Sequence, residues 1–181
     1  MYSDLYNRQI ADGFTADRTP AHHATRAMTS PAGLTLFERT ILHRLLDGDH
    51  PALQVLRGQL SKVVVTDREA TGVGVYVYMK PGGAVARCTP DRFMLSDIVY
   101  ELDRCAHGGT AALFVENGQL ESLELYTWSD PWPEDPQLGE IGYVSLRPQG
   151  NLDMQRIEPV PNRDMVLVAR QIEGRGYGGG M

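Results

Sequence analysis

Two periods of apolar spacing divide the chain. From Thr35 to Leu60 the hydrophobic residues recur at helical intervals, whereas from Lys62 onward they alternate with polar ones as they do in strands. Thr35-x-x-Glu38 is a capping box, in which the hydroxyl meets the N3 amide and the carboxylate returns to the N-cap amide. It predicts a helix to about Asp47 with Phe37, Ile41, Leu42, Leu45 and Leu46 on one face and Gly48 in the left-handed position after it. A second helix is predicted with Asp49 as N-cap, Pro51 in the first turn, and Leu53, Leu56 and Leu60 as its apolar stripe. Together the two make a helical hairpin.

The strand-like part begins with KVVVTDRE, a Thr71-Gly72 turn, and the alternation of Val73, Val75, Val77 and Met79 against Gly74, Tyr76 and Tyr78. Pro81-Gly82-Gly83 ends that hairpin, AVARCTPDR reads as a loop, and FMLSDIVYEL (93–102) reads as a further strand, with a helix as the alternative. The most specific signal lies in GTAALFVENGQLESLELYTWSDPWPE. Asn117-Gly118 between apolar runs marks a two-residue type I′ turn, which needs positive φ at both central positions. Ala111–Glu116 and Gln119–Thr127 are therefore expected to pair antiparallel at the centre of the sheet. IGYVSLR and DMVLVAR are two more strand candidates. Helices followed by strands, without alternation, predict α+β: an N-terminal helical hairpin packed on a mainly antiparallel β-sheet.

The ends differ from this core. In residues 1–33, Tyr2, Leu5, Tyr6 and Ile10 fall at helical spacing and are followed by the aperiodic, Pro-punctuated DGFTADRTPAHHATRAMTSPAG. This reads as an N-terminal arm or linker, in which Tyr2, Tyr6, Ile10 and Phe14 are candidates for anchoring on a neighbouring subunit or partner. The expected organisation is thus the arm, one α+β domain over 34–170, and a flexible Gly-rich tail over 171–181.

Taken together, LFERTILHRLLDGDHPALQVLRGQL, TDREATGVGVYVYM, LFVENGQLESLELYTW and PWPE resemble a family of small uncharacterised bacterial α+β proteins over residues 34–134. The shared order is a capped helix, a D-H-P-x-L helix, an R-E-x-T-G-V-G strand, an L-F-x-x-x-G-x-L hairpin and a closing Pro-Trp-Pro. The resemblance implies a bacterial source and the α+β arrangement. It carries no settled activity, so it assigns no functional residue. The chain departs from the family pattern at Leu125, where a glycine is usual.

Composition narrows the function classes. With 181 residues, 42% hydrophobic and 22% charged, the chain suits one globular domain, and no run approaches the length of a membrane-spanning helix. MYSDLYNRQIADG has neither the basic nor the apolar region of an export signal, so a cytoplasmic protein is expected. Cys88 and Cys105 are too few for a disulfide framework. A net charge of −6 argues against nucleic acid, whose phosphates need a basic footprint, and favours a basic partner. Of 17 basic residues only Lys62 and Lys80 are lysines.

Candidate chemistry is sparse. Glu121 and Glu124, three apart on a strand, should point to opposite faces, and Cys105 with His107 sits in a loop without assembled nucleophile geometry. His43, Asp47 and His50 are interrupted by Gly48, and His22-His23 lacks further ligands, so no metal is expected. Gly72-x-Gly74 precedes a strand and opens no helix, there is no P-loop, and no cofactor is expected. Gly178-Gly179-Gly180 invites comparison with ubiquitin-like tails, but two helices ahead of the sheet do not suit that fold. What remains is a Pro-stiffened acidic and aromatic corner, with Tyr126, Trp128, Asp130, Trp132, Glu134 and Asp135 as the expected protein-binding residues. The favoured reading is a non-enzymatic protein-binding module, of the acidic inhibitor or immunity type, acting on a basic partner. The alternatives are a structural subunit that homo-oligomerises through its arm, and a hydrolase with a carboxylate/His site.

Overall fold

The computed structural model describes residues 33–149 and 154–174. Helix α1 (Leu36–Leu45) starts at the expected capping box: Thr35 Oγ1 accepts from Glu38 N at 3.2 Å, and Thr35 N donates to Glu38 Oε2 at 2.8 Å. Helix α2 spans Pro51–Gln59 and runs into a 3₁₀ turn, Leu60–Lys62. Its N-cap is His50, not Asp49. The residue before proline is held extended, so capping falls to His50, whose Nδ1 accepts from Ala52 N at 3.2 Å.

Seven strands follow: β1 (Val63–Ala70), β2 (Gly74–Pro81), β3 (Phe93–Leu102), β4 (Gly109–Glu116), β5 (Gln119–Thr127), β6 (Leu138–Gln149) and β7 (Met154–Val160). They form one sheet in the order β1-β2-β5-β4-β3-β6-β7, and every pairing is antiparallel. The Asn-Gly hairpin, β4–β5, lies at its centre. Asn117 and Gly118 take φ of 53° and 69°, the left-handed pair that a type I′ turn requires.

Strand β7 has no counterpart in the alternation read from the sequence. The run DMVLVAR, whose β-branched residues read as a strand, is instead helix α3 (Met165–Ile172). Asp164 caps it by accepting from Val166 N at 2.9 Å and Leu167 N at 3.2 Å, and Leu167, Val168 and Ile172 turn inward. Because α3 continues to Ile172, the domain extends past residue 170. Of the expected arm over 1–33, residues 1–32 lie outside the described residues, and so do residues 175–181 of the expected tail over 171–181.

The three helices share one hydrophobic core with one face of the sheet. Ile41, Leu42, Leu45, Leu53 and Leu56 meet Val77, Ile98, Leu113, Leu123 and Leu125, with Val168 and Ile172 from α3. Four register shifts among the described strands adapt them to this core. Leu95 and Ile98 both enter it because β3 carries an extra residue between them, and an extra residue in β5 does the same for Leu120 and Leu123. The third lies between Val65 and Asp67, and the fourth between Tyr100 and Leu102 where β3 pairs with β6. Strict alternation therefore fails at Glu121, which removes the spacing argument that placed Glu121 and Glu124 on opposite faces.

Two buried ion pairs tie the layers together. Arg68 on β1 meets Glu38 of the capping box at 2.7 and 2.8 Å, with side chains 7% and 5% exposed. Arg163, just ahead of α3, meets Asp97 in the β3 bulge at 2.6 and 2.7 Å, and also donates to Asp47 O after α1. Gln59 anchors the central turn: its amide donates to Ala86 O and Gly118 O, and its carbonyl accepts from Leu120 N.

Candidate interaction surface

The sheet splits the predicted acidic and aromatic corner between its two faces. Tyr126 and Trp128 emerge at the end of β5, on the face away from the helices, half-buried and edge-to-face with ring centroids 5.9 Å apart. Trp132 turns to the other side. It sits edge-on to Phe37 at 5.9 Å, Phe37 sits edge-on to Tyr100 at 5.6 Å, and all three belong to or abut the core. Trp132 N donates to Gly72 O at 2.9 Å, which pins the corner to the β1–β2 turn. Glu134 and Asp135 are exposed in the loop beyond.

Asp130 faces back toward the β3–β4 loop. Its Oδ2 accepts from His107 N at 3.3 Å and lies 3.4 Å from His107 Nδ1, while Ser129 Oγ is 3.1 Å from the same Nδ1. A serine, a histidine and an aspartate are thus adjacent, but both partners address one ring nitrogen. A hydrolytic relay uses opposite nitrogens, one for the nucleophile and one for the orienting carboxylate. The group acts as a brace across the loop mouth.

Thr127 completes the brace. Its hydroxyl bonds Val73 O at 3.0 Å and also reaches Asp130 O. Below it, Tyr100 Oη donates to Thr110 O at 2.9 Å and to Tyr126 O at 3.2 Å. Burial holds the Tyr100 phenol well above its ordinary pKa, so it stays a donor and sets the direction of the β5 end. A Cβ on Gly109 would lie 2.2 Å from Tyr126 O and 2.7 Å from Tyr100 Cε2, so only glycine permits this approach of β4.

Beside Trp128 opens a cleft of about 660 Å³. It is lined by Val99, Gly109 and Gly142 and by Glu101, Glu140, Cys105, His107 and Pro159, among others. Glu101 and Glu140 come from adjacent strands, β3 and β6, and both are exposed. Desolvation raises the Cys105 thiol, and the carboxylates of Asp130 and Asp103 raise it further, so at neutral pH the sulfur is a thiol and a poor nucleophile. Glu101, Glu140 and the cleft itself were beyond sequence reasoning. They converge through the pairing of β3 with β6, two strands separated in the chain by a hairpin.

The other acids and histidines of the sequence scatter. Asp97 is consumed by Arg163, and Glu124 stands on the open sheet face in register with Tyr76 and Ala112. Of the His43, Asp47 and His50 set, Asp47 Oδ2 accepts from Tyr143 Oη at 3.1 Å and His50 caps α2. Among the described residues no cluster of three His, Cys, Asp or Glu side chains is arranged to hold a metal, and no helix is long and apolar enough to cross a membrane. Comparison with family models, curated proteins and solved structures returned no match.

Proposed function

We propose that this chain is a non-enzymatic protein-binding module that takes a basic partner at the β5 end of its open sheet face, in the manner of an acidic inhibitor or immunity-type protein. The observation that carries the reading is the cleft beside Trp128. Trp128, half-buried and edge-to-face with Tyr126, lines it together with two exposed carboxylates, Glu101 and Glu140, and with Gly109 and Gly142. Like charges on neighbouring strands repel, and a lysine or arginine side chain entering between them would relieve that repulsion while stacking on the indole. The net charge of −6 would speed encounter with such a partner, and the aromatic contacts would govern its residence time.

The contact set differs from the one read off the sequence. Tyr126 and Trp128 remain in it, Asp130 supports it from beneath, and Glu101 and Glu140 join it. Trp132 is a packing residue in this reading, and Glu134 and Asp135 contribute only long-range charge.

The test is affinity capture from the source cells on the full chain, followed by titration calorimetry of the recovered partner against variants. Trp128→Ala should weaken binding by about 30-fold or more, and Glu101→Lys with Glu140→Lys should slow association and flatten its salt dependence. Binding of the recovered partner that stays within about a factor of two for both variants would place the interface elsewhere.

A further inference from the structure

The central turn is chemically distinctive as well as structural. Asn117 is the asparagine of this chain that a glycine follows, and glycine, lacking a Cβ, leaves its nitrogen open to attack the neighbouring side-chain amide. In that reaction Gly118 N bonds to Asn117 Cγ and the Cγ–Nδ2 bond breaks. The Gly118 N–H proton passes through solvent to the departing nitrogen, ammonia leaves, and a cyclic succinimide remains. Water then opens either ring carbonyl, giving aspartate or isoaspartate. The Asn117 side chain is exposed, so solvent has access to every step.

The folded turn opposes the first step. A type I′ turn sets ψ of its first central residue near about +30°, which places the Gly118 nitrogen almost opposite the Asn117 Cβ about the Cα–C bond. Ring closure needs the two on the same side. The loop between β2 and β3 holds the turn in this state. Gly118 N, the attacking atom, donates to Asp91 O at 2.7 Å, Gly118 O accepts from Cys88 N at 3.1 Å, and Arg87 Nη1 donates to Asn117 O at 3.3 Å. Gln59 fastens turn and loop together from helix α2, since its amide reaches both Gly118 O at 3.0 Å and Ala86 O at 2.7 Å.

We infer that Asn117–Gly118 is a modification site of this chain, forming succinimide, and from it aspartate and isoaspartate, only when the β2–β3 loop lifts off the central turn. The change is one-way. Isoaspartate adds a main-chain carbon to a two-residue turn, so the Glu116–Gln119 and Val115–Leu120 pairings lose their register, and aspartate sets a new carboxylate beside Glu116. The site thus records transient opening at the centre of the sheet as a lasting covalent change. It is independent of the partner reading, which concerns the opposite end of β5.

The test incubates the full chain at mildly alkaline pH and follows Asn117 by peptide mass spectrometry, with isoaspartyl methyltransferase labelling to score isoaspartate. A free peptide of residues 113–121 gives the unprotected rate. The folded parent should convert about tenfold or more slowly than the peptide. Gln59→Leu should convert about threefold or more faster than the parent, whereas Trp132→Ala, which loosens the domain from the other end of β5, should stay within about a factor of two of it. Circular dichroism confirms that each variant is folded. If Gln59→Leu does not fold, Arg87→Ala, at an exposed side chain, takes its place and should convert faster than Trp132→Ala. A folded parent that converts as fast as the peptide would overturn the proposal, because the turn then gives no protection. Acceleration by Trp132→Ala equal to that by the loop variant would overturn it by assigning the reaction to global unfolding, and so would a loop variant that stays at the parent's rate.

Discussion

Removing one member of the Asp97–Arg163 pair should be among the most damaging single changes in this domain. The two side chains are 1% and 5% exposed and joined by two charge-assisted hydrogen bonds of 2.6 and 2.7 Å. Arg163 also donates to Asp47 O and lies over the Tyr143 ring at 5.5 Å, so one guanidinium links β3, the α1–α2 turn, β6 and the entry to α3. Asp97→Ala would strand that guanidinium in a poorly solvated site. Losing one partner of a buried pair costs about 3–5 kcal/mol, far more than the 0–1 kcal/mol of an exposed pair. With a urea m-value of about 2 kcal/mol/M, the unfolding midpoint should fall by roughly 1.5–2.5 M. The double variant Asp97→Leu with Arg163→Met should recover most of the loss, because neither charge is then left unpaired. The cycle of four proteins, followed by far-UV circular dichroism in urea, gives the coupling directly. If Asp97→Ala costs less than about 1 kcal/mol, or the double variant is worse than both singles added, the pair is solvated and its role as the joint of these four elements is refuted.

The two tryptophans should separate in thermal and urea melts: Trp132→Ala is expected to lose about 2 kcal/mol or more through its contact with Phe37, and Trp128→Ala less than about 1 kcal/mol. Gln59→Leu should cost on the order of 2 kcal/mol and speed amide exchange at Leu120, since Ala86 O, Gly118 O and Leu120 N all lose a buried partner. Gly118→Ala should cost at least about 1 kcal/mol in the same melts, because its Cβ would sit 2.7 Å from Cys88 O at a φ of +69°. Stability should also fall as the pH rises above about 10. There the unfolded chain ionises its tyrosines while Tyr100, with its pKa raised by burial, keeps its proton in the folded state; alkaline urea titrations of parent and Tyr100→Phe measure the difference.

Where the chemistry is local, the amino-acid sequence by itself determined the structure. The Thr35/Glu38 box, the positive φ of Asn117 and Gly118, and the spacing of Ile41, Leu42 and Leu45 act within a few residues, so α1 and the central hairpin were legible in advance. Long-range packing decided the rest. The strand-like run 165–170 became a helix because Asp164 could cap it and Val168 and Ile172 could enter the shared core. Bulges overrode alternation at Leu95/Ile98 and Leu120/Leu123 because core contact outweighs one unpaired ladder position. The corner shows the same division most clearly. Trp128 and Trp132 are four residues apart in one Pro-rich stretch and equivalent as sequence, yet the sheet passes between them. Which one faces outward, and that Glu101 and Glu140 stand beside it, follows from the pairing of β3 with β6. That pairing is a relation between segments about 40 residues apart, set by how their apolar residues are buried together, and no local pattern encodes it.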